Sequence, residues 1–245
     1  MSTSGTDVPV LCIHGWGGSF AATWEGPGFT ALLADAGREV IGVDLLGHGT
    51  APKPHEPDAY ADLTERVVAA LPDVPVDAVG FSLGALTLLR TAMGRPERFR
   101  RLVLAGIGQN VFEPDGAGTE RILDALDRVL DPSAPDPATD PDAEIDNTSR
   151  LFAQYAQQPG NDVAALAAVM RRPAAEPFTP ERLAAVTCPT LVIVGDRDFV
   201  HPPDTLVGAL PDARAEILRG VDHFATPESF GFIDATLEFL DAVPR

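Results

Sequence analysis

The chain is short of positive charge. Its 245 residues hold 18 Lys plus Arg against 36 Asp plus Glu, a formal net charge of −18 at pH 7, and Lys53 is the one lysine. A field of that sign repels phosphate backbones and anionic headgroups, which argues against nucleic-acid and membrane-surface partners. Cysteine is equally scarce. Only Cys12 and Cys188 are present, each in or at the start of an apolar run. Two reduced core thiols are therefore expected in place of a disulfide, and with them a cytoplasmic location. Long apolar runs are missing: none reaches the ~18 residues of a membrane-spanning helix. Residues 1–7 are small and polar, without the basic end and apolar stretch of an export signal. No grouping of His, Cys and carboxylate has metal-ligand spacing, and no Gly-Lys-Ser/Thr follows Gly15, Gly17 and Gly18 as a phosphate loop would require. No metal and no other cofactor is expected; the expected partner is a small-molecule substrate.

What is present is material for a core, with 45% of residues hydrophobic. The length suits one large α/β domain or a core with an insertion. Residues 8–13 form a short apolar run suited to a strand buried on both faces. Further strand-like runs lie at 39–43, 76–79, 101–106, 189–195 and 213–218. Helical patterning lies between them at 28–37, 60–71 and 83–93, and a terminal helix is expected over 227–240. This alternation predicts a mostly parallel, helix-flanked sheet of about six strands. The pattern changes after about Val111: residues 119–130 and 148–170 read as helices, separated by a segment (131–142) too rich in Pro and Asp to pack and read as a mobile loop. Residues 1–111 and 187–245 are thus expected to form the sheet domain, and 112–186 a helical insertion.

Ligands of open parallel sheets bind beyond the carboxyl ends of the strands. The first predicted strand ends in His14-Gly15-Trp16-Gly17-Gly18 and the second in Asp44-Leu45-Leu46-Gly47-His48-Gly49. The third ends in Gly80-Phe81-Ser82-Leu83-Gly84, a Gly-x-Ser-x-Gly between a strand and a helix, which is the nucleophile-elbow pattern. The turn is so sharp that small residues are needed two positions either side of the serine, and Gly80 and Gly84 occupy both places. The fifth strand ends in Gly195-Asp196-Arg197-Asp198, the sixth in Gly220-Val221-Asp222-His223-Phe224. A serine, a carboxylate and a histidine therefore fall at one edge of the sheet in the order Ser, Asp, His.

With these motifs the chain resembles the α/β-hydrolase superfamily, as a capped, serine-esterase-like member, across nearly the whole sheet domain. His14-Gly15 resembles the family's oxyanion loop, Asp44-x-x-Gly47-His48-Gly49 its second glycine turn, Gly195-x-x-Asp198 its acid loop and Asp222-His223-Phe224 its histidine loop. The resemblance implies that Ser82 attacks a carbonyl, that His223 takes and returns its proton, and that Asp198 orients the imidazole. It also implies that the backbone N–H groups of Trp16 and Leu83 stabilise the oxyanion. Asp196 is the rival acid, and the family spacing favours Asp198. Asp222, next to the histidine, is expected to hydrogen-bond elsewhere. His14 is expected to brace the oxyanion loop, His48 and Asp44 to fix their own turn, and His55 to be solvated. His201 is a weaker candidate for the pocket.

Two departures stand out. The usual family sheet begins with an antiparallel hairpin, whereas here the first strand runs straight into the oxyanion loop, so the first pair is expected to be missing. Ala85 stands where many relatives carry a second glycine. Phe20, Phe81, Phe112, Phe152, Phe199 and Phe224 are candidate pocket residues and suggest an apolar substrate, and residues 112–186 sit where capped relatives place a lid. The expectation is hydrolysis of a carboxylic ester of a small or medium, largely apolar molecule through an acyl-enzyme. The same triad in relatives serves lactone or thioester hydrolysis, acyl transfer and carbon–carbon bond hydrolysis; for the last, a cation such as Arg90, Arg150 or Arg171 would contact an anionic substrate. A non-catalytic ligand-binding member of the fold is the remaining alternative.

Overall fold

A computed structural model describes residues 8–139 and 145–244. The export-signal reading of 1–7 and the last part of the Pro/Asp-rich segment fall outside them. Six strands, β1 Val10–Ile13, β2 Val40–Val43, β3 Val76–Phe81, β4 Phe99–Ala105, β5 Thr190–Gly195 and β6 Ala213–Leu218, form one sheet in the order β2-β1-β3-β4-β5-β6. Every pairing is parallel. β1 opens the sheet two residues into the described chain and runs parallel to both of its neighbours.

Burial follows position in the sheet. β1, β3 and β5 are buried at every residue, while the outer strands β2 and β6 are fully buried only at their last residues, Val43 and Leu218. Continuous apolar runs are what a strand covered on both faces requires. Side chains two apart share a face. On one face Val10 and Cys12, Val79 and Phe81, Val103 and Ala105, and Leu191 and Ile193 join a single core cluster. The helices are α1 Phe29–Asp35, α2 Thr64–Ala70, α3 Leu83–Gly94, α4 Gly116–Leu130, α5 Asn147–Ala156, α6 Val163–Met170, α7 Pro180–Leu183, α8 Asp204–Ala209 and α9 Phe230–Phe239. α1 and α9 cover the face just described through Phe29, Leu33, Phe232 and Leu237, and α2 and α3 flank the other. Between α1 and α9 the rings of Trp24, Phe29 and Phe232 meet at centroid distances of 5.4, 5.8 and 5.7 Å. Such pairs add ~0.5–1.5 kcal/mol each beyond the area they bury.

The chain leaves β1 for β2 on one side, then returns to place β3 on the other. That reversal puts a topological switch point between β1 and β3, the place where open α/β sheets bind ligands. At the opposite, amino end of the strands sits a polar network that the sequence did not announce. Asp77 of β3 is fully buried and accepts from Arg38 Nη2 at 2.5 Å and from Arg100 Nε and Nη2 at 2.8 and 2.5 Å. Arg38 also donates to the carbonyls of Val8 and Leu240, both at 2.8 Å. One guanidinium thus ties the start of β1 to the end of α9.

The described chain divides into two compact units: up to Leu45 with Leu63–Glu113 and from Pro177 onward, and Leu46–Asp62 with Pro114–Glu176. The first holds the sheet. In the second, the segment 46–62 groups with the helical region, although the sequence gives it no helical signal of that kind. Tyr60 and Val169 crowd Gly47, where a Cβ would meet them at 3.0 and 2.9 Å. The helical stretch expected over 148–170 is two helices, α5 and α6, broken at Pro159-Gly160, where Gly160 takes φ 89° and Asp162 caps the second helix. The Pro/Asp-rich segment packs more than expected over its described part. Ala138 joins Ala125 and Ala153 in a small apolar cluster, and Arg150 and Gln154 donate to the carbonyls of Pro137 and Ala138 at 2.8 and 2.9 Å. Among the described residues no helix is long and apolar enough to cross a membrane.

Candidate active site

The elbow between β3 and α3 sets the site. Ser82 takes φ 50° and ψ −114°, a conformation that a side chain adopts only when its surroundings force it. Two glycines make that possible. A Cβ on Gly80 would lie 2.8 Å from Ala85 Cα, and one on Gly84 would lie 2.4 and 2.5 Å from the carbonyl oxygens of His14 and Ile13. The first lets the helix start fold back on the strand, and the second lets α3 approach the end of β1. Ser82 N–H donates to Ala105 O at 2.8 Å, which anchors the turn to β4.

His223 and Asp198 arrive on the loops after β6 and β5. His223 Nε2 lies 3.0 Å from Ser82 Oγ, and its Nδ1 lies 3.0 and 2.9 Å from the two carboxylate oxygens of Asp198. Asp198 and His223 are 5% and 4% exposed. Asp198 Oδ1 also accepts from Val200 N–H at 3.0 Å. The structure therefore brings Ser82, His223 and Asp198 into one hydrogen-bonded line. Asp196 lies elsewhere, accepting from Gly220 N–H at 2.7 Å. With Asp196 N–H to Leu218 O and Arg197 N–H to Val221 O, at 2.9 and 3.1 Å, it laces the acid loop to the histidine loop. Asp222 accepts from Ala225 N–H at 3.0 Å. His201 is exposed.

The glycine loop after β1 lies beside the serine. A Cβ on Gly15 would come within 3.3 Å of Ser82 Cβ and 2.8 Å of the Phe81 ring. Gly18 N–H closes a turn onto Gly15 O at 3.1 Å with Gly17 at φ 73°, which places Trp16 at the turn's second position. Leu83 opens α3, whose Leu86 N–H makes a 3.0 Å bond back to Ser82 O, so the Leu83 N–H precedes the helix ladder. His14 joins this loop to the one after β2: Leu45 N–H donates to Nε2 at 3.1 Å, and Nδ1 lies 2.7 Å from Gly15 O. With Nε2 accepting, Nδ1 carries the proton and donates. Burial pushes the His14 pKa below its ordinary value, against the opposing pull of that bond and of Asp44, which suits a neutral brace. His48 Nδ1 lies 2.9 Å from Leu46 O, within its own turn.

The aromatic candidates separate. Phe81, Phe199 and Phe224 surround the imidazole of His223 at centroid distances of 5.0, 4.5 and 5.7 Å. Phe20 is a correction: its ring fills the space over Gly42, where a Cβ would meet it at 2.5 Å, and packs on the core cluster. Its backbone N–H binds Asp44 Oδ1 at 2.8 Å. Phe112 ends the short turn after β4, and Phe152 lies in α5 of the second unit. His55 is paired with Asp162 at 3.0 Å, and the hydrogen bond to that carboxylate raises the His55 pKa. Sequence reasoning missed Gly106 and Gly108. Gly106, at φ 64°, leaves room for the Phe81 ring and lies near His223 Cε1, where its Cβ would come within 2.6 and 3.2 Å. Gly108 lets Gln109 N–H reach the carbonyls of Val200 and Pro202, both at 3.1 Å, which braces the acid loop. Among the described residues no group of His, Cys, Asp and Glu could hold a metal ion.

A profile described as the alpha/beta hydrolase family matches residues 10–235. The 2-hydroxymuconate semialdehyde hydrolase of Pseudomonas sp. (strain CF600) is 34% identical over 145 residues, 52% of this chain and 51% of that protein. The pimeloyl-[acyl-carrier protein] methyl ester esterase of Methylococcus capsulatus (strain ATCC 33009 / NCIMB 11132 / Bath) is 37% identical over 127 residues, 50% and 46% of the two chains. The chain thus spans about half the length of these two relatives. A second 2-hydroxymuconate semialdehyde hydrolase, from Pseudomonas putida, is 29% identical over 242 residues, 91% and 83% of the two chains. Among solved structures, a marine microorganism esterase superposes with TM-score 0.67 at 21% identity, covering 95% of each chain, and shares the fold. The motifs at the strand ends, the six-stranded parallel sheet and these matches converge: the chain belongs to the alpha/beta hydrolase family.

Proposed function

We propose that the protein is a serine hydrolase that cleaves a carboxylic ester of a small or medium, largely apolar substrate through an acyl-enzyme. The observation that carries this reading is the line from Ser82 Oγ through His223 Nε2, at 3.0 Å, to Asp198 at 2.9 Å. An alcohol is a weak nucleophile until a base takes its proton as the bond to carbon forms. Ser82 Oγ bonds to the ester carbonyl carbon while its proton passes to Nε2, and the carbonyl electron pair becomes an oxyanion. The backbone N–H groups of Leu83 and Trp16 receive that charge, each worth ~2.7–4 kcal/mol of transition-state stabilisation by analogy with other oxyanion donors. Imidazolium then protonates the departing alcohol, and water repeats the sequence in reverse on the acyl-enzyme. Phe199 and Phe224 give the base apolar neighbours, which supports an apolar substrate. The helical segment 112–186 is assigned the role of cap and the choice among substrates.

The names of the relatives support two readings, an ester in one case and 2-hydroxymuconate semialdehyde in the other. Carbon–carbon hydrolysis of an anionic keto acid calls for a cation. The three arginines considered for it are engaged: Arg90 stands 4.1 Å over the Phe178 ring, Arg150 donates to Pro137 O at 2.8 Å, and Arg171 binds Asp127 at 2.6 and 2.7 Å. That favours the ester. The test is a panel of p-nitrophenyl esters from acetate to decanoate on wild type and Ser82→Ala. Turnover by wild type that Ser82→Ala lacks is expected, strongest at short or medium chains. Equal rates for the two proteins would overturn the proposal.

A further inference from the structure

Phe199 is a large apolar side chain left 57% exposed, yet it stands next to Asp198 in the chain and its ring lies 4.5 Å from the His223 imidazole, tilted by 34°. Folding gains little from a ring so placed, since most of its surface stays in water. What the placement does achieve is contact with the base. The Phe81 ring approaches the same imidazole at 5.0 Å and 38°, but it is buried and held between Gly15 and Gly106. Asp198 holds Nδ1 from the acid loop. On neighbouring positions Asp196 is turned to Gly220 N–H, Asp222 to Ala225 N–H, and His201 is exposed. The elbow presents the Ser82 hydroxyl, and the loop after β4 presents Gly106, which carries no charge.

We infer that Phe199 is a positioning residue for the base: its π face stabilises the imidazolium that His223 becomes when it takes the Ser82 proton. A ring within about 6 Å of a cation attracts it through its quadrupole, and a leucine of similar reach does not. The inference rests on the serine-hydrolase reading for its catalytic consequence, but its physical content, an aromatic face acting on one imidazole, does not. No co-reactant is needed. The proton moves from Oγ to Nε2 as the Oγ–carbon bond forms, and the ring changes only the stability of the cation so produced.

The test uses the full chain with Phe199→Leu, which keeps apolar cover and loses the π face, and Phe199→Tyr, which keeps both. Because Phe199 is largely exposed, neither change is expected to impair folding. Two readouts are taken. The first is NMR titration of the imidazole signals, with His223 assigned by its disappearance in His223→Gln. The second is the pH dependence of inactivation by a fluorophosphonate. Phe199→Leu is expected to move the His223 titration to lower pH by about half a unit and to slow inactivation about 3- to 10-fold at the plateau, with Phe199→Tyr matching wild type. Leucine leaving the titration in place, or moving it to higher pH because water gains access to the ring, overturns the inference. If wild type fails to react with the fluorophosphonate, the hydrolase reading falls, while the NMR comparison still decides whether Phe199 acts on the imidazole.

Discussion

Replacing Asp198 by Asn should be far more damaging than replacing Asp196 by Asn, although the two residues differ by two positions and an identical change of atoms. Asp198 Oδ1 accepts the Val200 N–H at 3.0 Å, so the amide oxygen of an asparagine would be held at that place. Its NH2 would then occupy the Oδ2 position, 2.9 Å from His223 Nδ1. The carboxylate offers Nδ1 two acceptors and the amide only one, at the Oδ1 place 3.0 Å away. The NH2 in the shorter contact favours the tautomer with its proton on Nε2, in which the ring cannot accept from Ser82 Oγ. In a serine protease the corresponding change lowers kcat by about 10⁴, or ~5 kcal/mol, and about 10³–10⁴ is expected here. At 196 the asparagine oxygen keeps the Gly220 N–H, so kcat/KM should stay within about threefold of wild type, the range of a change that touches no reacting atom. The assay is kcat/KM for p-nitrophenyl butyrate on proteins whose urea midpoints match. A loss at Asp196→Asn equal to or larger than that at Asp198→Asn, or a loss of under about tenfold at Asp198→Asn, would refute the assignment of the acid.

Two stability predictions come from groups away from the reacting atoms. Asp77→Ala leaves the fully buried Arg38 guanidinium without its carboxylate and should cost ~3–5 kcal/mol in urea unfolding, whereas Arg100→Met, which leaves the Asp77–Arg38 pair, should cost less; the same loss for both would contradict the pairing. His14 is buried with its pKa lowered, so the unfolded chain binds one more proton below about pH 6.5 and stability is full above that value. The urea midpoint should fall as pH drops from 6.5 toward 5, with a slope of at most ~1.4 kcal/mol per pH unit from this group, and His14→Gln should flatten that slope. His55 acts in the opposite sense because Asp162 raises its pKa, so its stabilisation is present at low pH and lost as pH rises; the comparison with His14→Gln isolates the buried ring. No change of slope in His14→Gln would show that the brace is not buried neutral.

The fold was legible because its signals are repeated. Four of the six strands, β2 to β5, carry apolar runs that end in or run straight into Asp44, Ser82, Gly106 and Gly195, and alternation with helices leaves little choice but a parallel sheet. Sheet position was visible only afterwards: Val40–Val43 and Ala213–Leu218 read as strands, but that they are the outer ones shows in their half-exposed faces. The short helix α8 and the π-helical turn Ala21–Glu25 carry too few periodic residues to register. The strand-end residues Ser82, Asp198 and His223 could be named because position at a strand end is a sequence property, whereas the lacing of the acid and histidine loops by Asp196 is a matter of loop approach. Gly195 marks it, since a Cβ there would lie 2.0 Å from Val221 O, but a glycine before a turn has many explanations. Asp77 was hidden for a different reason. A carboxylate within an apolar run signals a buried pair only once Arg38 and Arg100 are seen to reach it, and they lie 39 and 23 positions away. Phe20 misled because closeness in sequence to the glycine loop was taken for closeness to the site; its ring turns instead to the vacant side of Gly42.

The central claim is that Ser82 is a nucleophile activated by His223. Its most direct measurement is covalent labelling of the folded protein with a fluorophosphonate, read by intact mass and by peptide mapping. The account predicts a single adduct on the peptide carrying Ser82, lost in Ser82→Ala and slowed at least 100-fold in His223→Gln, about the least that an absent general base should cost. An unmodified wild-type protein, or the same adduct on Ser82→Ala, would contradict it.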